Sequence, residues 1–379
     1  MPNRLSAIES ISPAFARTKQ LLFQPFRFGL WARLAVVAVI TGEAGVGGGG
    51  GGSIPNFNRN SSGEDHWASH WSAQSFNHAV STAHFVSEPR WEQIQPYLGW
   101  IALGIGLTLA ALFLWIYSDC VFRFILLDTV LTGHCRLREG WRRWRAAGRR
   151  YFVWAVSFGF GALFLTGIVA GVPVLLAYRA GWFEKPEDNL GLLIGWGILL
   201  VLVLIVLVAA LAVIQMLARD FLIPVMAFEE VAPIEGWRKF LGMMGADKLA
   251  YAAYVLMKIV LAMGSAVIFT IVNVVVILVL AIPLVLLGLA GYFIGKAAGF
   301  SWDISTQLLL AALGLLVFAG ILYVVGFVYA PGLVFFQSYT VEFFAARYGP
   351  LEKKVSPPML PVPPAPPTAP PVPGDAFLS

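Results

Sequence analysis

Charge is scarce in this sequence. Asp, Glu, Lys and Arg supply 12% of 379 residues while hydrophobic side chains supply 58%, against about 25% and about 45–50% in soluble domains. A chain of this kind cannot cover its apolar surface with polar groups. An ordinary soluble globule is excluded, and lipid must act as part of the solvent. Cysteine is scarcer still, with Cys120 and Cys135 the only two. Both fall on the side read below as cytoplasmic, where free thiols are the rule, so a disulfide scaffold is excluded. Nucleophile elbows, zinc-protease helices and phosphate loops are missing as well. No enzyme activity and no cofactor are expected. The net charge of +5 and pI near 9.2 do not signal nucleic acid, because the basic residues sit in short segments beside apolar runs, as in cytoplasmic membrane loops. The first apolar run starts late and leads into glycines without a cleavage-site pattern, unlike a signal peptide.

What the chain does have is long hydrophobic runs. A span needs roughly 20 apolar residues. Five segments meet or approach that: about Tyr97–Leu127, Tyr151–Tyr178, Leu190–Leu217, the run Leu249–Ala298 containing Pro283, and Gln307–Ala330. A weaker first span, about Phe28–Val46, has a short apolar centre flanked by Arg33 and Glu43. The expected fold class is all-α, a polytopic transmembrane helix bundle of about six spans.

Cation placement sets the threading. The segment 133–150 carries seven arginines and one acid, and 219–248 carries Arg219, Arg238, Lys239 and Lys248. The intervening loops hold few cations. By the positive-inside rule both termini are cytoplasmic and the count of spans is even, so 284–298 reads as a continuation, a re-entrant piece or an interfacial helix. The resulting division is a cytoplasmic N-terminal amphipathic segment, 1–27, a membrane domain, 28–338, with an outside loop at 47–95, and a cytoplasmic tail, 339–379, Pro-rich from 356. The location implied is a membrane, crossed several times.

An internal repeat stands out. Arg123-Phe-Ile-Leu-Leu-Asp128 precedes Glu139-Gly-Trp-Arg-Arg-Trp144, and Arg219-Asp-Phe-Leu-Ile-Pro224 precedes Glu235-Gly-Trp-Arg-Lys-Phe240. In both, the Arg lies 18 residues before the Trp. A looser copy, Ala14–Leu22 followed by Pro25–Trp31, opens the chain. The reading is three repeats of an amphipathic helix followed by a pair of spans. The run Phe221-Leu-Ile-Pro224, with Glu229, Glu230, Pro233 and Glu235-Gly-Trp237 after it, resembles the span-end motif of uncharacterised bacterial and archaeal proteins related to the membrane domain of glycerophosphodiester phosphodiesterases. The resemblance implies a six-span helical fold in a bacterial or archaeal cell membrane. The soluble catalytic barrel of those phosphodiesterases has no counterpart here, so no hydrolase activity is implied.

Candidate functional residues fall into three groups. Trp141, Arg142, Arg143, Trp237, Arg238 and Lys239 suit contact with lipids or a partner, the aromatics entering the headgroup boundary and the cations reaching phosphates. Lys258 and Asn273 could line a polar path, since an intramembrane charge costs roughly 2.5–3.5 kcal/mol on insertion scales and calls for a reason. Snorkelling to the cytoplasmic surface is the plainer reading of Lys258. No Asp or Glu is read in mid-span outside the first span, which argues against a proton-coupled carrier built on buried carboxylates. His66 and His70, four apart, would share a helical face as metal ligands can. The interleaved Trp67 and Trp71 favour a loop lying on the outer interface instead. Gly159, Gly161 and Gly167, with Gly191, Gly195, Gly197, Gly288 and Gly291, suggest close helix packing. Prolines from Pro358 to Pro367 fit an aromatic groove on a protein partner, with a passive solvated tail as the plainer alternative. The function expected is non-enzymatic organisation of membrane lipids or partner proteins. A small-molecule or ion transporter is the alternative.

Overall fold

The computed structural model describes residues 6–42, 98–183, 189–297, 299 and 303–355. The histidines His66 and His70, the outside loop and the Pro-rich tail lie outside these residues. Every element among the described residues is helical: α1 (Ile11–Phe23), α2 (Phe28–Ile40), α3 (Leu98–Thr132), α4 (Leu137–Arg179), α5 (Leu190–Leu217), a π turn (Ala218–Leu222), α6 (Ile223–Glu229), α7 (Pro233–Ala246), α8 (Lys248–Ala297), α9 (Ile304–Ala345) and α10 (Gly349–Val355). The all-α, multi-span reading holds. Five helices are long and apolar enough to cross a membrane, taking α5, the π turn and α6 as one. A sixth arises only if α1 and α2, bent by 118° at the break between them, count as one span. Alone, α2 has 13 residues, about 20 Å of helix, short of a hydrocarbon core of about 30 Å.

Two tiers divide the molecule. In the lower tier, α1, α2, the C-terminal halves of α3 and α9, the N-terminal halves of α4 and α8, the π turn, α6, α7 and α10 share one core. In the upper tier the remaining lengths of α3, α4, α5, α8 and α9 stand bare. Their apolar windows are only 0–6% buried. A helix apolar on all sides is either buried or surrounded by lipid, and here no protein covers these lengths. Such a layout fits a multi-pass membrane protein. The longest element, α8, runs 50 residues, or about 75 Å. Its first third packs through Tyr251, Tyr254 and Lys258. The other two thirds, about 50 Å, would match a bilayer with its headgroups at a tilt of roughly 30°.

Prolines do not break these helices. Pro283 sits inside α8, so 284–298 is a continuation of that helix up to Ala297 rather than a re-entrant piece. Pro173 and Pro331 likewise lie inside α4 and α9. The amphipathic segment after Arg136 also merges with its span: nothing between Arg150 and Tyr151 stops a helix, and α4 runs through 43 residues.

The packed glycines differ from those expected. Nothing lies within 4 Å of where a Cβ would stand on Gly159, Gly161, Gly167, Gly191, Gly195, Gly197, Gly288 or Gly291. The close approaches occur in the lower tier. A Cβ on Gly326 would sit 2.6 Å from the Ala35 carbonyl oxygen, where α9 crosses α2, and one on Gly148 would sit 2.6 Å from Val121 Cγ2, where α4 crosses α3.

The repeat is present in three dimensions. In the first copy Gly140 abuts Ile125, and Phe124 stacks on Trp144 at 5.7 Å. In the second Gly236 abuts Leu222, and Phe221 stacks on Phe240 at 5.1 Å. Phe124 follows its Arg directly, whereas Phe221 follows Arg219 by two positions. The added residue is Asp220, and the π turn absorbs it, with Ile223 N–H bonding to the Ala218 carbonyl. A π turn is how a helix takes in one extra residue without losing register. The widened turn also admits Pro224, whose ring would otherwise meet a carbonyl of the preceding turn. In the third copy the amphipathic helix α1 packs on the far end of the chain. Arg17 Nε lies 3.0 Å from Glu342 Oε1, and Tyr339 donates to the Ala7 carbonyl at 3.0 Å. Both ends of the described chain therefore lie at the same end of the molecule.

Candidate functional site

The two Glu-Gly-Trp-Arg helices separate their duties by face. Trp141 packs edge-on to Tyr117 at 5.7 Å and against Phe122, and Trp237 packs on Trp154 and Phe240. Both tryptophans are half-buried at the core's margin. The glycine before each Trp brings the helix close to its neighbour, which draws the ring inward. The cations stay outside. Arg138, Arg142, Arg145 and Arg149 are exposed along α4, at spacings that keep them on one face. None of the four pairs with another described residue. Arg143 lies 3.9 Å from Asp128 and over the Trp144 ring, and Lys239 is bound to Glu229, which also accepts from the Tyr348 hydroxyl at 2.9 Å. Arg238 is exposed. Glu230, at φ 55°, ends α6, and its carbonyl accepts from Arg150 Nη1 at 2.9 Å. That bond ties α4 to the α6–α7 corner.

Lys258 does not snorkel. It is 4% exposed, and its Nζ lies 2.6 Å from both carboxylate oxygens of Asp220, itself 6% exposed. The Tyr254 hydroxyl donates to Asp220 Oδ2 at 3.0 Å and meets Thr340 Oγ1 at 2.7 Å. The residue inserted at the π turn is thus the counter-ion of the buried lysine. Asn273, 15 positions further along α8, is about 22 Å away. Its Oδ1 is buried without a partner, and the two residues are not brought together. Sequence reasoning missed Asp220 because it was read as part of a basic span end. The available signal was its fixed place one residue after a repeat arginine, where the first copy has Phe124.

Asp119 was missed too. It lies inside α3 beside Arg123, whose Nε donates to Asp119 Oδ2 at 3.1 Å and whose Nη2 lies 3.0 Å from Oδ1. Arg123 Nη2 also donates to the Thr41 carbonyl at 3.3 Å, capping α2. This pair forms part of the floor of a cavity of about 690 Å³ between α3, α4 and the ends of α2 and α5. Arg219, Gln215, Tyr151 and Thr41 complete the polar lining, and the walls are apolar, with Leu112, Trp115, Phe160 and Leu163 among them. The arginines that open the two repeat copies therefore meet in one chamber. No group of three or more His, Cys, Asp or Glu side chains among the described residues could hold a metal. Cys120 and Cys135 are buried free thiols, and Arg33 Nη1 donates to the Cys135 carbonyl at 2.7 Å.

The chain belongs to a family of unknown function, DUF7544, whose model matches residues 5–352. No curated protein and no solved structure matches it. These comparisons draw no link to the glycerophosphodiester phosphodiesterases.

Proposed function

We propose that this protein is a non-enzymatic multi-pass membrane protein that organises anionic lipid at the cytoplasmic leaflet. The bare upper tier crosses the bilayer, and the packed lower tier, with both termini, stands on the cytoplasmic side. The observation that carries this reading is the exposed row Arg138, Arg142, Arg145 and Arg149 on one face of α4, none of them paired with another described residue. Basic side chains near an anionic leaflet contribute about 1 kcal/mol each. With Arg238 nearby in the repeat, the base of the molecule offers a cationic surface where headgroups gather. The tryptophans of the repeat support this indirectly, by holding the amphipathic helices against the spans. Kinship with the phosphodiesterase membrane domain rests on the span end at Phe221–Pro224 alone and adds no activity. Recruitment of a partner protein by the Pro-rich tail remains part of the proposal.

The test is lipid retention. The full-length protein, reconstituted in mixed phosphatidylglycerol and phosphatidylcholine vesicles and re-extracted, should keep phosphatidylglycerol in excess of its share. A variant with Arg138, Arg142, Arg145 and Arg149 all changed to Gln should lose most of that excess. Equal retention of both lipids by the unaltered protein would overturn the reading. The transport alternative has weaker support: Lys258 is locked to Asp220 and lies far from Asn273, so the two do not share a path.

A further inference from the structure

We infer that the chamber between α3, α4 and α5 is a discrete binding site for one singly anionic membrane lipid. The headgroup rests on Arg219 and Arg123, and the acyl chain lies along the apolar walls. The site is separate from the basic face of α4 and does not depend on it.

The polarity of the chamber runs in one direction. Its floor is buried and polar, with Arg123 9% and Tyr151 3% exposed, while on its walls Leu112 is 53%, Phe160 62% and Leu163 71% exposed. Those open walls belong to the bare tier, so the chamber opens sideways into whatever surrounds the upper helices. An amphiphile has the same gradient, charge at one end and hydrocarbon along the rest. A volume of about 690 Å³ is that of a small-molecule site, within the usual ~300–1,000 Å³.

The charge balance selects the head. Asp119 faces Arg123 and occupies its inner edge. Arg219, half-buried in the same chamber, forms no hydrogen bond or ion pair with any described residue. Both guanidinium groups line the same chamber as Cys120 and Tyr151. Among the described residues no carboxylate is left to match Arg219. A partly buried guanidinium without a counter-ion is unfavourable, and a planar fork of donors suits a phosphate or carboxylate. A zwitterionic head would bring an ammonium into the same space. A free inorganic anion would leave the apolar walls unused. The repeat explains how the pair arose: each copy places an arginine at the same height of a span end, and packing the two copies side by side brings both arginines to one chamber.

Photolabelling tests this. Full-length protein in vesicles is irradiated with a phosphatidylglycerol carrying a diazirine in its acyl chain, and the adducts are mapped by peptide mass spectrometry. The label should appear on α3 and α4 near Leu112 and Phe160 and should saturate. Arg219→Gln should reduce it about tenfold, the loss of one charge-assisted contact, and Arg219→Lys should restore part of it. Gly159→Leu should abolish it by filling the chamber; a Cβ there meets open space, so the fold is not disturbed. The matching phosphatidylcholine probe should label weakly, and inorganic phosphate should not compete. Unaltered labelling in both Arg219→Gln and Gly159→Leu would overturn the site. Equal labelling by phosphatidylcholine would overturn its charge selectivity, and displacement by phosphate would make it a free-anion site. If the four-arginine variant of α4 lost this label while Arg219→Gln kept it, the lipid would belong to the basic face and the chamber would be empty of function.

Discussion

Replacing Lys258 by Met leaves Asp220 as a buried carboxylate with only the Tyr254 hydroxyl for support. In the native protein Nζ touches both carboxylate oxygens at 2.6 Å, and both residues are less than a tenth exposed. Breaking one side of such a pair costs about 3–5 kcal/mol, because the remaining charge has no solvent to turn to. Replacing both partners by apolar groups of similar volume is often neutral, since the desolvation of each ion disappears along with their attraction. Lys258→Met should therefore lower stability by about 3–5 kcal/mol, Asp220→Leu by a comparable amount, and the double variant by much less than either. The assay is unfolding in detergent micelles by titrated denaturing surfactant, followed by tryptophan fluorescence and completed as a double-mutant cycle. The physical account is refuted if Lys258→Met lies within about 0.5 kcal/mol of the unaltered protein, the range of ordinary surface changes. It is refuted equally if the double variant is no better than the worse single one. A stable Lys258→Met protein would also return Lys258 to the list of groups free to line a path.

Other outcomes follow from the packing. Gly326→Ala should destabilise by about 1–3 kcal/mol, because its Cβ meets a backbone oxygen of α2, whereas Gly288→Ala should be neutral or stabilising by up to about 1 kcal/mol, its surroundings being open; thermal shift in detergent compares the two. Gly236→Ala should fall between them, since the atom it meets is the end of the flexible Leu222 side chain. Cysteines introduced at Arg142 and Asp303 of a variant lacking Cys120 and Cys135 should label from opposite sides of the cell membrane, and labelling of both from outside would reverse the two-tier placement. In the unaltered protein, Cys120 and Cys135 should react with maleimide only slowly before denaturation and fully after it, as buried thiols do.

Much of the architecture was legible because hydrophobic length is a one-dimensional property. The run Leu190–Leu217 was read to the residue, and the runs near Leu98 and Leu249 began within a residue of the observed helices. Boundaries failed where composition changed without a conformational cause. Arg-rich sequence gives way to Tyr151 with no breaker, so α4 is one helix where two segments were expected. The last span was read as ending at Ala330, yet α9 continues to Ala345, its second half apolar for the sake of a protein core rather than for lipid. What the rings of Trp141 and Trp237 pack against was not legible, because a Trp beside Arg looks the same on paper whichever side of its ring meets the core. The adjacent glycines bring each helix onto Ile125 or Leu222, and those contacts lie far apart in the repeat.

By itself the sequence determined that this chain is helical, that several of its helices are long and apolar enough to cross a membrane, and that one module recurs. Those properties follow from transfer free energy and local spacing, which act on segments whatever they later touch. Only the tertiary structure decided which charges meet. Asp220 finds Lys258 because one inserted residue turns the helix at the π turn, and Arg123 and Arg219 share a chamber because two copies of a module pack side by side. Pairing of that kind depends on positions far apart in the chain, and a change of one residue in helical phase alters it.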